Sequence, residues 1–361
     1  MTESPLLRAL GRVNDPEIRR PLTELGMIPS AEVEDGVARI RLELTIAACP
    51  AADRIRADVA EAALGVDGVD SVDLDVGVME PAKRKALVER LRGSRRIQFD
   101  ADSLTRVIAI TSGKGGVGKS TVTAGLAVEL ARRGQRVGLI DADVHGYSIP
   151  GILGLQQQPT RVGDLMMPPV AHGVSVISIG MFVEGNTSVS WRGPMLHRTL
   201  EQFLRDVWWG DLDTLLIDMP PGTGDVAISL GQLLPSAEVV VTTTPQTAAA
   251  DIAERSALVA RQTGQRVIGV VENMAGLAQP DGSVLDVFGS GGGDEVARRL
   301  EVDVLARIPI SIPLRQSGDA GEPIVLRAPD DPGTEALRTL ADALDARRTP
   351  LAGRGIPLSP E

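Results

Sequence analysis

Cysteine is nearly missing from this chain: Cys49 is the only one in 361 residues. That excludes an intramolecular disulfide framework and makes a reducing compartment, the cytoplasm, the expected setting. Aromatic side chains are scarce too, at 2%. Any core must therefore be built from Val, Leu, Ile and Ala, which suits a buried parallel sheet covered by helices. There is no basic excess, since the net charge is −11, and this weighs against broad nucleic-acid binding. Apolar runs of roughly 18 residues, the least that spans a bilayer, are also absent, so no membrane span is expected. The opening segment, MTESPLLRALGRVNDPE, has no positive stretch followed by an apolar run, and no leader is expected either.

What is present has two textures. Residues 1–80 read as a small α+β unit. Val37–Ile46 and Val69–Val78 alternate apolar and polar residues as half-buried strands do, and Ala51–Leu64 between them has helical spacing. Residues 81–103 form a basic linker, with seven Lys or Arg between Lys83 and Arg96. It reads as a solvated helix. From residue 104 to 346 short β-branched runs alternate with helical stretches: Arg106–Thr111, Ser120–Arg133, Arg136–Ile140, Leu215–Ile217, Val239–Thr243 and Val267–Val271. This alternation predicts an α/β fold with a doubly wound parallel sheet and ligands at the strand C-termini. Residues 347–361, rich in Pro, Gly and Arg, read as a frayed tail.

The sharpest motif is Gly113-Lys-Gly-Gly-Val-Gly-Lys-Ser120. It satisfies the phosphate-loop pattern G-x-x-x-x-G-K-[ST], directly after a predicted strand and before a helix. Small residues let backbone N–H groups converge on phosphates, and the helix N-terminus adds positive charge. Gly113, Lys114, Gly115, Gly116, Val117, Gly118, Lys119, Ser120 and Thr121 form the expected nucleotide-binding run. Lys119 would reach the β- and γ-phosphates, and the Ser120 hydroxyl would coordinate Mg²⁺. Gly113, Gly115 and Gly118 also fit a dinucleotide fingerprint, with Asp141 placed for a ribose. The adjacent Lys-Ser pair and the later acidic motifs have no use in such a site.

Two further strands end in carboxylates. Asp218 closes Leu215-Leu-Ile and opens Met219-Pro-Pro-Gly-Thr-Gly-Asp225; Asp141 and Asp143 close Leu139-Ile. Singly, a strand-end Asp often only caps the next helix. Together with the glycine loop they supply a metal-binding carboxylate and a group to orient water.

These residues resemble the deviant Walker A ATPases, the class containing MinD, ParA and the nitrogenase iron protein; the mark is the extra lysine, Lys114. Within that class the chain looks like the Mrp/ApbC group of iron–sulfur cluster carriers. The segments carrying this resemblance are Asp141–Pro150, Trp191–Met195, Trp209–Asp213, Asp218–Asp225, Thr243–Gln246, Glu272–Met274 and Phe288–Gly293. The first unit resembles a small SufT-like domain through Asp15-Pro-Glu17 and Thr45-Ile-Ala-Ala-Cys-Pro50. The resemblance implies a nucleotide-switched homodimer in which Lys114 reaches the partner's γ-phosphate. It also implies that Asp143 orients water, Asp141 and Asp218 act around Mg²⁺, and Asn273 contacts adenine. From the residues alone Asn273 reads as a strand-end turn residue.

The chain departs from the family pattern at one place. Many members hold a bridging cluster with a Cys-x-x-Cys pair, but Ala275–Val287 contains neither Cys nor His. Cys49 reads either as a small buried hydrophobe or as an iron–sulfur ligand with a thiolate stabilised by the helix start after Pro50. His145, His172 and His197 are scattered and are assigned no ligand role. The expected function is a slow ATP-hydrolysing carrier or assembly factor for iron–sulfur clusters. Its partners would be apo iron–sulfur proteins or assembly machinery, with no nucleic acid and no membrane. The alternatives are a positioning ATPase of the MinD/ParA kind, an assembly-factor ATPase that has lost cluster binding, and a scaffold that no longer hydrolyses nucleotide.

Overall fold

A computed structural model describes residues 4–47, 49–92, 98–99, 103–144, 146–182, 193–279, 281 and 283–348. His145, Trp191, the end of the basic linker and the tail beyond 348 lie outside them. The first unit runs α1 (Pro5–Leu10), β1 (Ser30–Glu34), β2 (Val37–Leu44), α2 (Ala52–Leu64), β3 (Ser71–Val78) and α3 (Pro81–Arg92). Its three strands lie in the order β1-β2-β3, with β1–β2 antiparallel and β2–β3 parallel across α2. Ile40, Leu42 and Leu44 from alternate positions of β2 meet Ile55, Val59 and Ala63 from one stripe of α2, as the two periodicities require.

The second unit begins with β4 (Arg106–Ser112), α4 (Lys119–Arg132), β5 (Val137–Asp141), α5 (Ile149–Ile152), β6 (Thr160–Val162), β7 (Leu165–Met167), β8 (Val170–Ala171) and β9 (Val174–Ser178). It continues with α6 (Gly193–Arg205), β10 (Thr214–Asp218), α7 (Asp225–Leu233), β11 (Glu238–Thr243), α8 (Ala250–Gln262), β12 (Arg266–Ala278) and β13 (Val284–Leu285). The last elements are α9 (Gly292–Leu300), β14 (Val304–Ile310), α10 (Ile312–Ala320), α11 (Ile324–Arg327) and α12 (Pro332–Asp345). The main sheet has the order β13-β12-β11-β4-β10-β5-β9-β8, with β14 also on β12. All its pairings are parallel except β8–β9 and β12–β13.

Successive residues of each central strand feed opposite layers. Val107, Ala109, Leu215 and Ile217 pack under α6, α7, α8 and α9, while Ile108, Ile110 and Leu216 pack under α4, α11 and α12. This is the doubly wound α/β arrangement expected from the sequence. The chain leaves β4 toward β5 on one side and returns to β11 on the other, so the order reverses at β4, where such sheets bind ligands.

Two expectations need correction. The basic helix α3 is not simply solvated: Leu87, Val88 and Leu91 are buried in the first unit's core while Lys83, Lys85 and Arg90 are exposed. Nor does the first unit close on itself. The β6–β7 hairpin of the second unit inserts Val162, Leu165 and Met167 into the same core. Trp208 adds an indole N–H bond to the Ile18 carbonyl (3.4 Å), and Arg20 lies over its ring.

Leu165→Ala tests this shared core. Truncating a side chain 2% exposed should cost about 2–4 kcal/mol, read as a lower urea midpoint by circular dichroism.

Candidate nucleotide site

The backbone builds the site first. β4 ends at Ser112, the loop 113–118 turns, and α4 starts at Lys119 with Gly118 as its N-cap at φ 79°. A side chain at 118 would be strained by that φ and would collide with the Asn273 amide. At Gly113 a Cβ would run into the backbone of Ile252 and Ala253 on α8. Both glycines are therefore demanded by close approach. A cavity of about 360 Å³ lies above the loop, lined by Ser112, Lys114 to Thr121, Asp143, Gly146, Ser148 and Pro221.

Strand register brings in the carboxylates. Asp218 at the end of β10 lies directly beside Asp141 at the end of β5, and both are fully buried. Asp218 sits 2.8 Å from Lys119 Nζ, accepts from Ser120 Oγ at 2.5 Å and accepts from Thr123 Oγ1 at 2.9 Å. Asp143 Oδ2 lies 3.6 Å from the same ammonium. Asp141 accepts from Ser178 Oγ (3.0 Å) and from the backbone N–H groups of Asp143 and Ile149. Burial and the neighbouring Asp218 push Asp141 up to about 7, opposed by Ser178 and by Lys119. Burial also raises Asp218, against Lys119, Ser120 and Thr123. One ammonium thus faces Asp218 and Asp143, with Asp141 within its field. The Ser120, Asp141 and Asp218 oxygens form a hard donor set suited to a divalent cation.

The structure adds contacts for two of the expected residues and brings in three more that the sequence analysis does not single out. Asn273 is buried behind the loop and donates its amide N–H to the Val117 carbonyl at 2.8 Å. It braces the loop and is not part of the cavity lining. Lys114 donates to Gln246 Oε1 at 2.7 Å. Thr123 and Ser178 fix the two buried aspartates. Ser256, in mid-helix on α8, places its one O–H within reach of the carbonyls of Ser112 (3.3 Å) and Gly222 (3.2 Å), between the two loops. Only Thr123 had a legible cue, one helical turn beyond Ser120.

Cys49 lies far along the chain from these residues, in a corner with Asp15 and Glu17. Its thiol is raised, chiefly by burial and then by the charges of Glu17 and Asp15, against the Ala51 N–H. The expected thiolate-stabilising helix start is therefore outweighed. Asp15 is buried and accepts from the N–H groups of Glu17 and Ile18. Glu17 is pushed up to about 7 by burial and by Asp15. Among the described residues no three His, Cys, Asp or Glu side chains converge as a metal site.

Two tests follow from this geometry. Gly118→Ala should fold with a loss of about 1–3 kcal/mol and lose at least about tenfold in nucleotide affinity, measured by titration calorimetry. Glu17 supplies the pH test. With its pKa raised from 4.5 to about 7, the folded chain keeps a proton that the unfolded chain has released. Its contribution to stability therefore falls as pH rises from 4.5 to about 7 and is flat above that. Glu17→Gln should remove that part of the slope in urea midpoints taken across this window.

Comparison with known proteins agrees with this construction. Residues 103–345 match the family model described as ParA, NUBPL iron-transfer P-loop NTPase, and residues 3–74 match the iron–sulfur cluster assembly protein model. The iron–sulfur cluster carrier protein of Mycobacterium tuberculosis H37Rv is 52% identical over 98% of this chain and 95% of its own length. A nucleotide-binding protein from Archaeoglobus fulgidus, solved in complex with ADP, is 38% identical over 60% of this chain and 86% of its own, with a TM-score of 0.53. The cell division ATPase MinD of Pyrococcus furiosus, at 24% identity, 67% of this chain, 98% of its own and a TM-score of 0.51, shares the fold. With a loop, acids and sheet of this design, and a family match over most of its length, the chain belongs to the ParA/NUBPL family of iron-transfer P-loop NTPases.

Proposed function

We propose that this chain is an ATP-hydrolysing iron–sulfur cluster carrier or assembly factor of the cytoplasm that works as a nucleotide-switched homodimer. The observation that carries the ATPase part is the Lys119 ammonium at the start of α4, beneath a glycine loop and between Asp218 and Asp143. The loop N–H groups and the α4 N-terminus would cradle the phosphates. Lys119 would leave its acids for the β- and γ-oxygens. Ser120, Asp218 and Asp141 would hold Mg²⁺, which when bound neutralises charge on the transferring phosphoryl group. Asp143, at the cavity wall, would orient the attacking water. Lys114 would release Gln246 and reach the γ-phosphate of a second copy, acting as an arginine finger does. Asn273, which bonds the Val117 carbonyl, would contact the adenine.

The cluster role is supported by the relatives' names and by the two-unit match. The cargo would be an iron–sulfur cluster and the recipients apo iron–sulfur proteins or assembly machinery. With no Cys or His in Ala275–Val287, Cys49 is the one thiol each subunit can offer, and two copies supply two of the four thiolates a four-iron cluster normally takes. The remaining positions would come from the recipient or from small thiols.

Phosphate release and anaerobic reconstitution test the two halves separately. Lys119→Ala and Asp143→Asn should each lower phosphate release by about 100-fold. Lys114→Ala should lower it by about 1,000-fold while keeping ADP binding. Equal release from wild type and Lys119→Ala would sink the ATPase reading. In reconstitution with iron and sulfide, wild type should hold iron and Cys49→Ala should not. If neither holds iron, the chain is an assembly-factor ATPase without cargo of its own.

A further inference from the structure

The loop Asp15–Arg20 of the first unit is gripped at two points by the second unit. Thr160 Oγ1 donates to Glu17 Oε2 at 3.5 Å, and Arg19 Nη2 donates to the Gly173 carbonyl at 3.0 Å. Both points trace back to one stretch of chain. Thr160 opens β6, eight residues past the end of α5. Gly173 shares the two-residue turn between β8 and β9 with His172, whose Nε2 lies 3.2 Å from the Leu153 carbonyl. Leu153 is the residue that ends α5. Such a turn is stiff, because both its residues are held at positive φ, 49° and 83°. The end of α5 is thus joined to the Asp15–Arg20 loop by bonds through the His172–Gly173 turn and, along the chain, through Thr160.

The other end of that stretch is fastened to the nucleotide site. Gly146 N–H donates to Asp143 Oδ1 (3.1 Å) and Ile149 N–H donates to Asp141 Oδ2 (3.3 Å). Asp143 also shares Lys119 with Asp218. A phosphate arriving over the loop competes for Lys119, and a cation arriving with it competes for carboxylate oxygens. The bonds that anchor Gly146 and Ile149 are thus bonds to carboxylates for which bound nucleotide and its cation compete. A ligand shifts a conformation only by interacting differently with its two states, and here the difference is made at the anchoring carboxylates themselves. At the far end, Ile18 of that loop is buried in the core cluster against which Cys49 packs.

We propose that nucleotide occupancy at Lys119 is transmitted through α5, Thr160 and the His172–Gly173 turn to the Asp15–Arg20 loop, and thereby sets the accessibility of Cys49. This rests on the phosphate-site reading above and adds to it a direction of control: the nucleotide state of one unit governs when the other unit's thiol is offered to metal or partner. Coupling is reciprocal, so modifying Cys49 must change nucleotide affinity by the factor that nucleotide changes the Cys49 equilibrium.

Because Cys49 is the sole cysteine, N-ethylmaleimide labelling of the full chain reports on it alone. Labelling rates are measured without nucleotide, with saturating ADP and Mg²⁺, and with saturating ATP and Mg²⁺, while calorimetry measures nucleotide binding in parallel. At least one nucleotide should change the wild-type rate by about fivefold or more. The double variant Thr160→Val, His172→Ala cuts both connections outside the phosphate site; it should bind nucleotide with wild-type affinity and label at a rate indifferent to it. Arg19→Ala severs the second connection from the opposite side and should halve the response or more, which covers the case of a poorly folding double variant. Saturated binding with an unchanged labelling rate overturns the inference and spares the phosphate-site reading. A full response in the double variant also overturns it. Absence of nucleotide binding in wild type would remove the phosphate-site reading and the inference together.

Discussion

The buried pair between Lys119 and Asp218 is the constraint on which the rest of this structure depends. A fully buried carboxylate costs several kcal/mol in lost hydration, and Asp218 has no exposure at all. It is tolerable because three donors converge on it: the ammonium, Ser120 and Thr123. All three come from the first turns of α4, so the helix must begin where it does, and the glycine loop must be tight enough to start it there. The reversal of strand order at β4 then follows as a requirement, since only there can a loop, a helix start and two strand ends share one edge.

The same pair makes the resting site self-complementary. Lys119 is satisfied by acids when no phosphate is present, and the acids are satisfied by Lys119 when no divalent cation is present. Gln246 does the same for Lys114. Each of these charged groups has a partner within the chain. A site of this kind avoids bare buried charge in either state, at the cost of having to exchange partners whenever nucleotide enters or leaves.

What could be read from the sequence was whatever one segment encodes by itself. The glycine loop, the strand-end aspartates and the alternation of short β-branched runs with helices are local patterns. They placed the sheet, its doubly wound class and the loop's neighbours. The partners of those residues were not legible, because they arise from tertiary register. Ser178 faces Asp141 only because β9 lies beside β5, and Ser256 is an unremarkable mid-helix serine until α8 packs on Gly113. Asn273 was legible as a strand-end residue, but its bond to the Val117 carbonyl was not. In the linker, the density of Lys and Arg hid the spacing of Leu87, Val88 and Leu91. Cys49 had a helix start that ought to stabilise a thiolate, and burial beside two acids, invisible in the sequence, reversed the sign.

The β6–β7 hairpin bears on how this protein can be divided. In sequence, two family patterns stand side by side with a basic stretch between them, which suggests parts that could be separated or exchanged. In space the seam runs elsewhere: Val162, Leu165 and Met167 belong to the second pattern by position and to the first by burial. A fragment starting at residue 104 would carry these three side chains into water, and a fragment ending at residue 80 would have a hole where they sit. The two halves therefore form one inheritable piece, and a change in either that alters the hairpin's seat must be matched in the other.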